Sequence, residues 1–518
     1  MMPRPSMAQV TQTTSVPAPI GGLNARDSIA AMPPTDAVTM ENWFPTPTNI
    51  TVRNGSTPKS TGLPAWVETI MAYNAYTTSA NKLFAISGTG IYDVTAGGVV
   101  GAAVVSGLSN ARWQHTNFAT PGGQFLVAVN GTNDMELYNG TAWQAVNGTS
   151  TPIAITGVAT SSLIAVHPFK GRLFFIQKGS LSVWYLPVGQ IGGAAVQFDM
   201  SSLFRLGGYL VAMHSFNVDT VAGPQDYFAF LSSEGEVLIY QGYDPNQVGS
   251  WYQVGTFRIG RPVGYRCMEK VGSDIYVICA DGLFPLSKAM LTDRSQESAA
   301  ISDKIKNLIN TDVQQYGSHY GWQVKLYPLG NKIIINVPQI ESQIQYQYVM
   351  NTITGAWTKF TGWNAACFEL QGDKLYFGGN GTVIQCDTGN TDNNNAITTD
   401  LRPAFSYFGN PGENKQFTMA RPVVTYDSPI GVSVILNIDY KDNPTTSQLN
   451  LPLQTGVSLW NVALWNVSFW SAGTQLRLNW ESVFGIGYAA SLRIKTISKA
   501  SNVSLVSVDY GYQRGGVL

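Results

Sequence analysis

Four histidines are the residues with the widest chemical range in this 518-residue chain: His115, His167, His214 and His319. None has a histidine, a cysteine or a carboxylate at the spacing of a zinc motif. His167 precedes Pro168 just before an apolar run, which favours a structural role over metal ligation. The chain also lacks a G-x-S-x-G elbow, a Walker loop and the Rossmann glycine pattern. We therefore predict no metal site and no cofactor site.

Paired carboxylates and cysteines are the other candidates for chemistry. Glu234 and Glu236 come nearest to the acid–base pair of a glycosidase, but they flank a turn glycine and are interpreted as solvated hairpin residues. Each cysteine lies in an apolar, strand-like stretch, which favours buried free thiols over disulfides. The four are Cys267, Cys279, Cys367 and Cys386. We predict no catalytic residue, and the chain is not expected to be an enzyme.

The charge balance argues against a nucleic-acid binder. Lys plus Arg number 31 against 32 Asp plus Glu, and charged residues make up only 12% of the chain, about half the usual share. Several arginines stand singly among apolar stretches, which predicts that each forms an interblade or interface pair rather than a phosphate clamp. They are Arg53, Arg112, Arg172, Arg261 and Arg266.

A repeat organises the middle of the chain. Short hydrophobic runs are followed by a glycine-containing turn and a second run, with turn glycines at Gly90, Gly131, Gly179, Gly235, Gly282 and Gly381. These glycines lie roughly 40–56 residues apart, and one gap of about twice that length is filled by a degenerate copy from Asn331. The period predicts an all-β fold with a β-propeller of about seven blades over residues 64–395.

The two ends of the chain lack this repeat. Residues 1–63 are rich in Pro, Thr and Asn and predict an extended N-terminal arm that packs on the ring or on the C-terminal domain. An isolated arm cannot bury its apolar element Trp43, Phe44 and Pro45, so these three residues are candidates for assembly contacts. Alternating runs within residues 396–518 predict a C-terminal β-sandwich-like domain.

Three further segments have distinct patterns. Residues 298–317 place several apolar side chains on one helical face, with Ser302 or Asp303 able to cap the helix. In LWNVALWNVSFW, Trp460, Trp465 and Trp470 fit no single helical face. The glycine-containing run from Val94 is too short for a membrane span, and the N-terminal residues lack the apolar core of a signal peptide.

Motifs spread over nearly the whole chain resemble a family of tailed-phage and prophage structural proteins. The N-terminal match is GGLNARDSIAAMPPTDAVTMENWFPTPTNITVRNG, with its N-x-F-P element before an R-x-G turn. The central matches are GRLFFIQKGSLSVWYLPVGQIGGAAVQFDMSSLFRLGGYL and SSEGEVLIYQGYDPNQVGSWYQVGTFRIGRPVGYR, the second followed by ADGLFPLSKAML. VMNTITGAWTKFTGW, KLYFGGNGTVIQCDTG and the closing DYGYQRGGVL complete the resemblance.

The resemblance implies a virion structural protein similar to the tail nozzle, the larger tail tubular protein of short-tailed phages. Such a subunit would be made in the host bacterial cytoplasm and would assemble in the tail as a homo-oligomeric ring, expected to be a hexamer. It would contact the adaptor and portal-proximal ring and tail fibres, without a membrane span. Genomic DNA would pass through the lumen during ejection without specific binding.

Two alternatives remain open at the level of sequence. The first is a carbohydrate-binding, receptor-recognition propeller of the phage tail, because 13 Trp and 24 Tyr offer surfaces on which sugars could stack. The even spread of these aromatic residues through the strands favours packing instead. The second is a propeller glycosidase, against which the missing acid–base pair argues.

Overall fold

The chain forms two compact units. The computed structural model describes residues 11–220, 223–247, 249–291, 300–427, 430–442, 447–450, 475–477, 479–499 and 501–515. Unit 1 is drawn from Met1–Thr57, Tyr348–Gly362 and Asp387–Leu518, and unit 2 from Pro58–Gln347 and Trp363–Cys386. The sequence-based division into 1–63, 64–395 and 396–518 cuts the chain at nearby positions but treats as separate the two ends that unit 1 combines.

Strands dominate both units, so the all-β prediction is confirmed. The first strands are β1 (Thr11–Pro17), β2 (Gly22–Leu23), β3 (Asp36–Glu41), β4 (Trp43–Pro45) and β5 (Ile50–Val52). The next are β6 (Ser56–Tyr73), β7 (Lys82–Ser87), β8 (Gly90–Asp93), β9 (Gly98–Val99), β10 (Val105–Ser106), β11 (Gln114–Thr120), β12 (Gly123–Val129), β13 (Met135–Tyr138), β14 (Trp143–Val146), β15 (Ile155–Thr156), β16 (Leu163–Phe169), β17 (Arg172–Gln177), β18 (Ser182–Tyr185), β19 (Gly193–Ala194), β20 (Val196–Asp199), β21 (Leu210–Thr220), β22 (Gly223–Ser232), β23 (Glu236–Gly242) and β24 (Trp251–Arg258).

The remaining elements follow in chain order. They are β25 (Met268–Val271), β26 (Asp274–Cys279), β27 (Gly282–Pro285), α1 (Leu286–Leu291), α2 (Lys306–Tyr316), β28 (Gln323–Tyr327), β29 (Lys332–Ile340), β30 (Ile344–Asn351), β31 (Trp357–Phe360), β32 (Cys367–Gln371), β33 (Lys374–Cys386), β34 (Ile397–Pro403), β35 (Lys415–Tyr426), β36 (Gly431–Ile438), β37 (Ser447–Asn450), β38 (Gln475–Arg477), β39 (Glu481–Gly487), β40 (Ala490–Ser498) and β41 (Val503–Arg514). Within the described ranges, no helix is long and apolar enough to span a bilayer.

Unit 2 is a series of small, mainly antiparallel sheets whose strands follow one another along the chain. The sheets are β6–β7–β8–β10, β11–β12–β13–β14, β16–β17–β18–β20, β21–β22–β23–β24, β25–β26–β27, β28–β29–β30, and β32–β33 joined to β6. The first strands of successive sheets, from β11 to β32, lie next to one another. The long strand β6 belongs to the first sheet through residues 67–73, which pair with β7, and to the last sheet through its pairing with β33.

Separate hydrophobic layers fill the space between neighbouring sheets of unit 2. Phe84 and Tyr138 belong to the layer between the first two sheets, and their rings meet edge-on at 4.9 Å. Between the third and fourth sheets, the rings of Phe174 and Phe228 also meet edge-on, with their centroids 5.0 Å apart. These apolar side chains project from the faces of the strands, so each sheet buries its faces against its neighbours and not against one common core.

Unit 1 interleaves the two ends of the chain. β1 pairs with β41 along its whole length, and β3 pairs with β34. The Arg53 side chain is 1% exposed and forms an ion pair with Asp392 at 2.5 Å, while its guanidinium also donates to the Thr361 carbonyl at 2.7 Å. Pairing and a buried ion pair therefore fix the N-terminal strands within unit 1.

The predicted hairpins are mostly present. β7–β8, β12–β13, β17–β18, β22–β23 and β26–β27 are antiparallel pairs at the predicted places. Gly131 and Gly235 have φ of +70° and +81°, which the tight turns require. The hairpin predicted around Gly381 was wrong, because Gly381 lies inside the single long strand β33 and not in a turn between two strands.

The predicted helix is present but shorter than its pattern. A 3₁₀ turn at Asp303–Ile305 precedes α2, which buries Ile309. The predicted cap at Ser302 was wrong, because its Oγ accepts the backbone N–H of Leu283 at 2.8 Å instead. The tryptophan segment with Trp460, Trp465 and Trp470 lies outside the described residues.

Candidate functional site

A polar cavity of about 350 Å³ lies within unit 2. Its walls come from seven strands, β6, β11, β16, β21, β25, β28 and β32, each of which is the first strand of its sheet. The cavity gathers chemistry-bearing side chains that lie far apart in the sequence. They are His115, His167, His214, Arg266, Glu269, Lys325 and Glu369.

Lys325, Glu369 and His115 lie close together in the buried part of this cavity. The Lys325 ammonium lies 3.3 Å from both oxygens of the Glu369 carboxylate, and His115 Nε2 lies 3.6 Å from the same carboxylate. Burial alone would raise the pKa of Glu369, but the Lys325 ammonium holds it below its usual value. Burial also disfavours the charged form of Lys325. The carboxylates of Glu369 and Glu269 have the larger effect together, so the pKa of Lys325 is raised. Lys325 and Glu369 are therefore a charged pair.

Burial keeps His115 and Glu269 closer to their neutral forms. It lowers the pKa of His115 to about 4, although the Glu369 carboxylate acts in the opposite direction. It raises the pKa of Glu269, despite the nearby Lys325 ammonium and a hydrogen bond that Glu269 Oε1 accepts from the Leu326 N–H at 3.1 Å. His115 is therefore neutral at pH 7, and burial disfavours the charged form of Glu269.

The rings of His167 and His214 lie with their centroids 4.3 Å apart and are tilted by 47° to each other. The Ser215 N–H donates to His167 Nε2 at 3.2 Å, so this nitrogen is an acceptor and the ring proton belongs on Nδ1. His214 Nδ1 lies 3.0 Å from the Ser215 carbonyl and donates to it. Burial lowers the pKa of both rings, that of His214 to about 4, and each ring would repel a charge on the other. Both imidazoles are neutral at pH 7.

Arg266 links the cavity to β6 and to the residue just before β11. Its guanidinium donates to the Glu68 carbonyl at 3.1 Å, to Thr69 Oγ1 at 2.8 Å and to the Trp113 carbonyl at 3.0 Å. The same group lies over the Tyr320 ring, 5.5 Å from its centroid. The guanidinium of Arg266 therefore binds neighbouring strand segments and not a ligand.

The chemistry available in this cavity is structural. The histidines are neutral, His167 and His214 are hydrogen-bonded, and the lysine is paired with a carboxylate. Within the described ranges, no cluster of three or more His, Cys, Asp or Glu residues is arranged to hold a metal ion. The three histidines, Glu269, Lys325 and Glu369 each come from a different strand, and Arg266 lies just before β25. The network therefore ties neighbouring sheets together through polar contacts at their inner edges.

The residues singled out in the sequence have other surroundings. Glu234 forms an ion pair with Arg261 at 2.7 Å, and the buried Glu236 accepts the N–H groups of Arg205 and Leu206. Both carboxylates therefore have structural partners. Three other predicted arginine pairs are present as Arg53 with Asp392, Arg112 with Glu68 and Arg172 with Asp244. The prediction was wrong for Arg266, whose guanidinium binds two backbone carbonyls and a hydroxyl instead of a carboxylate. The prediction of four buried free cysteines, Cys267, Cys279, Cys367 and Cys386, is confirmed.

The predicted assembly element lies inside unit 1. Trp43, Phe44 and Pro45 form β4, which pairs with β5, and Trp43 is fully buried. The Trp43 carbonyl accepts the Thr358 hydroxyl at 2.5 Å, and Phe44 packs on Phe360 with ring centroids 6.3 Å apart. Sequence reasoning expected these three side chains to lack a partner within the arm, and unit 1 supplies it. Their contact with another subunit stays a prediction.

Sequence reasoning missed the cavity. Apart from Arg266, each of its histidines and charged residues lies on the strand that precedes a predicted hairpin, such as QHTNFAT in β11 or LIAVHPF in β16. These strands lack the long apolar runs by which the hairpins were found. One polar or charged residue recurring just before each hairpin is the signal that could have located the cavity.

No protein-family model matches the chain, and no protein of curated function matches it significantly. Several solved structures show a distant likeness. One is described as BBS1N in complex with ARL6DN, with a TM-score of 0.37 and 10% identity over 65% of this chain and 97% of that one. Another is YCF48 bound to D1 peptide, with a TM-score of 0.36 and 9% identity over 69% and 99%. Raptor of Chaetomium thermophilum has a TM-score of 0.35 and 11% identity over 67% of this chain and 29% of its own. Likeness at this level assigns no function.

Proposed function

We propose that this chain is a structural subunit of a tailed-phage virion, a protomer of the tail-nozzle ring, and that its unit 2 is a seven-bladed β-propeller. The arrangement of unit 2 supports the propeller. Seven first strands surround one cavity, hydrophobic layers separate neighbouring sheets, and β6 is shared by the first and last sheets. A strand shared in this way closes a ring of blades, and closure removes exposed sheet edges.

The resemblance to phage structural proteins is the starting point for the proposed role. Its motifs extend from the N-terminal strands through the hairpins of unit 2 to β41. A mechanical role agrees with how the chain uses its charged residues, since the buried ones bind one another or the backbone. The cavity of unit 2 holds a network of this kind, in which the Lys325 ammonium binds Glu369 and the Arg266 guanidinium binds the backbone of neighbouring segments.

The observation that carries the assembly proposal is a row of exposed apolar side chains on unit 1. Phe484 and Ile486 alternate along β39 with 73% and 55% of their surface exposed, and Met419 on the neighbouring strand β35 is 40% exposed. Alternation places these side chains on one face of the sheet. Contiguous apolar surface of this kind is typical of protein–protein interfaces. We propose that a second copy of the chain covers this face in the ring.

The lumen for DNA would then lie between protomers. The cavity of unit 2 has about 350 Å³, which suits a small molecule and excludes a nucleic-acid duplex. The near balance of 31 basic and 32 acidic residues supports a conduit that lets DNA pass without holding it, because each neutralised phosphate would add salt-dependent retention.

Charge substitution on β39 tests the assembly surface. We expect Phe484→Asp and Ile486→Asp to shift the purified chain from a ring to monomers in light scattering, because buried unpaired carboxylates oppose association. Tyr76→Asp is the control, since Tyr76 is 74% exposed in unit 2 and lies outside this face. A wild-type chain that stays monomeric at high concentration, or variants that assemble normally, would count against the proposed surface.

A further inference from the structure

An open pocket of about 400 Å³ in unit 1 is lined mainly by tyrosines. Tyr407 follows β34, Asp439 and Tyr440 follow β36, and Tyr488 lies in the turn between β39 and β40. Pro411 completes the lining. Pockets of this volume, with aromatic walls and a few polar groups, are typical of small-molecule sites.

Aromatic contacts fix the tyrosine side chains that line the pocket. The Tyr440 ring packs on the buried Phe405 with a centroid distance of 4.7 Å, and it meets Tyr407 edge-on at 6.4 Å. The Tyr440 pKa is raised by burial and by the neighbouring Tyr407 hydroxyl. The phenol therefore stays protonated at any physiological pH, and its buried hydroxyl leaves the ring as the part of Tyr440 that a ligand would contact.

The Asp439 carboxylate lines the pocket, and its two oxygens differ in their hydrogen bonds. Asp439 Oδ1 accepts the N–H groups of Tyr488 at 2.8 Å and Ala489 at 3.0 Å. In the part of the chain that the structure describes, no donor is within hydrogen-bonding distance of Oδ2. The backbone of Gly487 packs closely on the other side of the carboxylate, because a Cβ there would lie 2.5 Å from Oδ2. Oδ2 is therefore the acceptor of Asp439 that a ligand hydroxyl would use.

The backbone that presents these side chains is strained. Asp439 and Tyr440 have consecutive positive φ values of +48° and +64°. Left-handed conformations cost a residue with a Cβ about 1 kcal/mol or more, and such strain concentrates at functional sites. Glycine would relieve it, so the presence of Asp and Tyr at these positions points to a use for their side chains.

The charges around the pocket favour a neutral ligand. The buried Lys415 ammonium donates to the Asn410 and Glu413 carbonyls at 2.7 and 2.8 Å, which holds the loop that carries Pro411. Its donors are thus used within the fold, and its charge offsets that of Asp439. A quaternary ammonium ion could not use the tyrosine hydroxyls, whereas a sugar offers both an apolar C–H face for the rings and hydroxyls for the polar groups.

We propose that this tyrosine pocket binds a saccharide, whose ring stacks on Tyr407 and Tyr440 and whose hydroxyl groups donate to Asp439. The inference goes beyond the ring-subunit proposal and does not depend on it, because it uses only the geometry within unit 1.

Saturation-transfer NMR on the whole chain tests the pocket. The probes are methyl glycosides of glucose, galactose, N-acetylglucosamine and rhamnose at millimolar concentration, with tetramethylammonium as the cationic comparison. We expect at least one glycoside to bind, with transfer to its ring C–H protons. Tyr407→Ala and Asp439→Asn should each weaken that binding about tenfold or more. Asparagine at 439 keeps an oxygen for the Tyr488 and Ala489 N–H groups, so this variant preserves the turn.

Tyr76→Ala in unit 2 is the matched control and should leave binding unchanged. Circular dichroism melts establish that each variant is folded, and a melt unchanged in Asp439→Asn makes its binding result decisive. Absence of binding for all four glycosides overturns the proposal. So does binding that both pocket variants leave intact, or preferential binding of tetramethylammonium. None of these results bears on ring assembly, which light scattering measures separately.

Discussion

At the scale of single residues, the buried histidines couple the stability of unit 2 to pH. Burial lowers the pKa of His115 and of His214 to about 4, below the value of about 6.5 for an exposed imidazole. Between about pH 6.5 and pH 4 the unfolded chain binds a proton on each ring and the folded chain does not. Each histidine therefore lowers the free energy of unfolding as the pH falls through this window, by about 3 kcal/mol for a shift of this size.

We expect the wild-type chain to lose stability as the pH falls through that window, and His115→Gln to lose less, because glutamine does not titrate. Denaturant unfolding at about pH 7, 5.5 and 4.5 measures the difference. The groups that face His115 in the cavity, Glu369, Lys325 and Arg266, stay in place in this variant. His319→Gln, a substitution of the same type outside this cavity, is the control. An identical pH dependence in His115→Gln and the wild type would contradict the predicted titration.

The chemistry of individual residues was predictable from the sequence where local context decided it. Cys267 and Cys279 lie in apolar runs and are buried free thiols, as predicted. Arg172 and Arg261 were isolated cations in apolar surroundings, and each has a carboxylate partner. The cavity could not be predicted in this way, since His115 and Glu369 are brought within 3.6 Å by a closure of strands that are far apart in the chain.

At the scale of elements, the hairpins were recognised because each combines two apolar runs with a turn glycine. The first strand of each sheet was not recognised, because its face toward the cavity is polar and breaks the apolar pattern. The strand β33 shows that a glycine in a turn-like sequence does not always mark a hairpin. Gly381 has φ of +63°, yet β33 continues through it without forming a hairpin. This strand pairs with β32 and with the distant strand β6.

The junction between β6 and β33 closes the series of sheets and can be tested at one glycine. A Cβ at Gly378 would lie 2.0 Å from the Val67 carbonyl oxygen and 2.9 Å from Cys367 Sγ. Gly378→Ala must therefore push the two strands apart, and we expect it to lower the free energy of unfolding by about 1–3 kcal/mol. The shift of the denaturation midpoint measures this loss.

Gly101→Ala provides the comparison within the same unit. An added Cβ at Gly101 meets nothing within 4 Å, so this variant should unfold at the wild-type midpoint or slightly above it. Equal stability of the two variants would show that the β6–β33 junction is looser than the structure indicates.

At the scale of the whole molecule, composition predicted the class of the protein but not how its ends are used. Few charges, many glycines and a hairpin period led to an all-β fold. The N-terminal segment, predicted as an extended arm, contributes β1 and β3 to sheets with β41 and β34. Pairing between strands at opposite ends of a chain leaves no local pattern, because either strand alone presents only an unpaired edge.

The central proposal is that copies of this chain close into a ring with an open lumen between protomers. Negative-stain electron microscopy of the purified 518-residue chain, over a series of concentrations, tests it most directly. The proposal predicts end-on views of closed rings, expected to have six protomers, each with an open centre. Single particles the size of one chain at every concentration, or open filaments in place of rings, would contradict it.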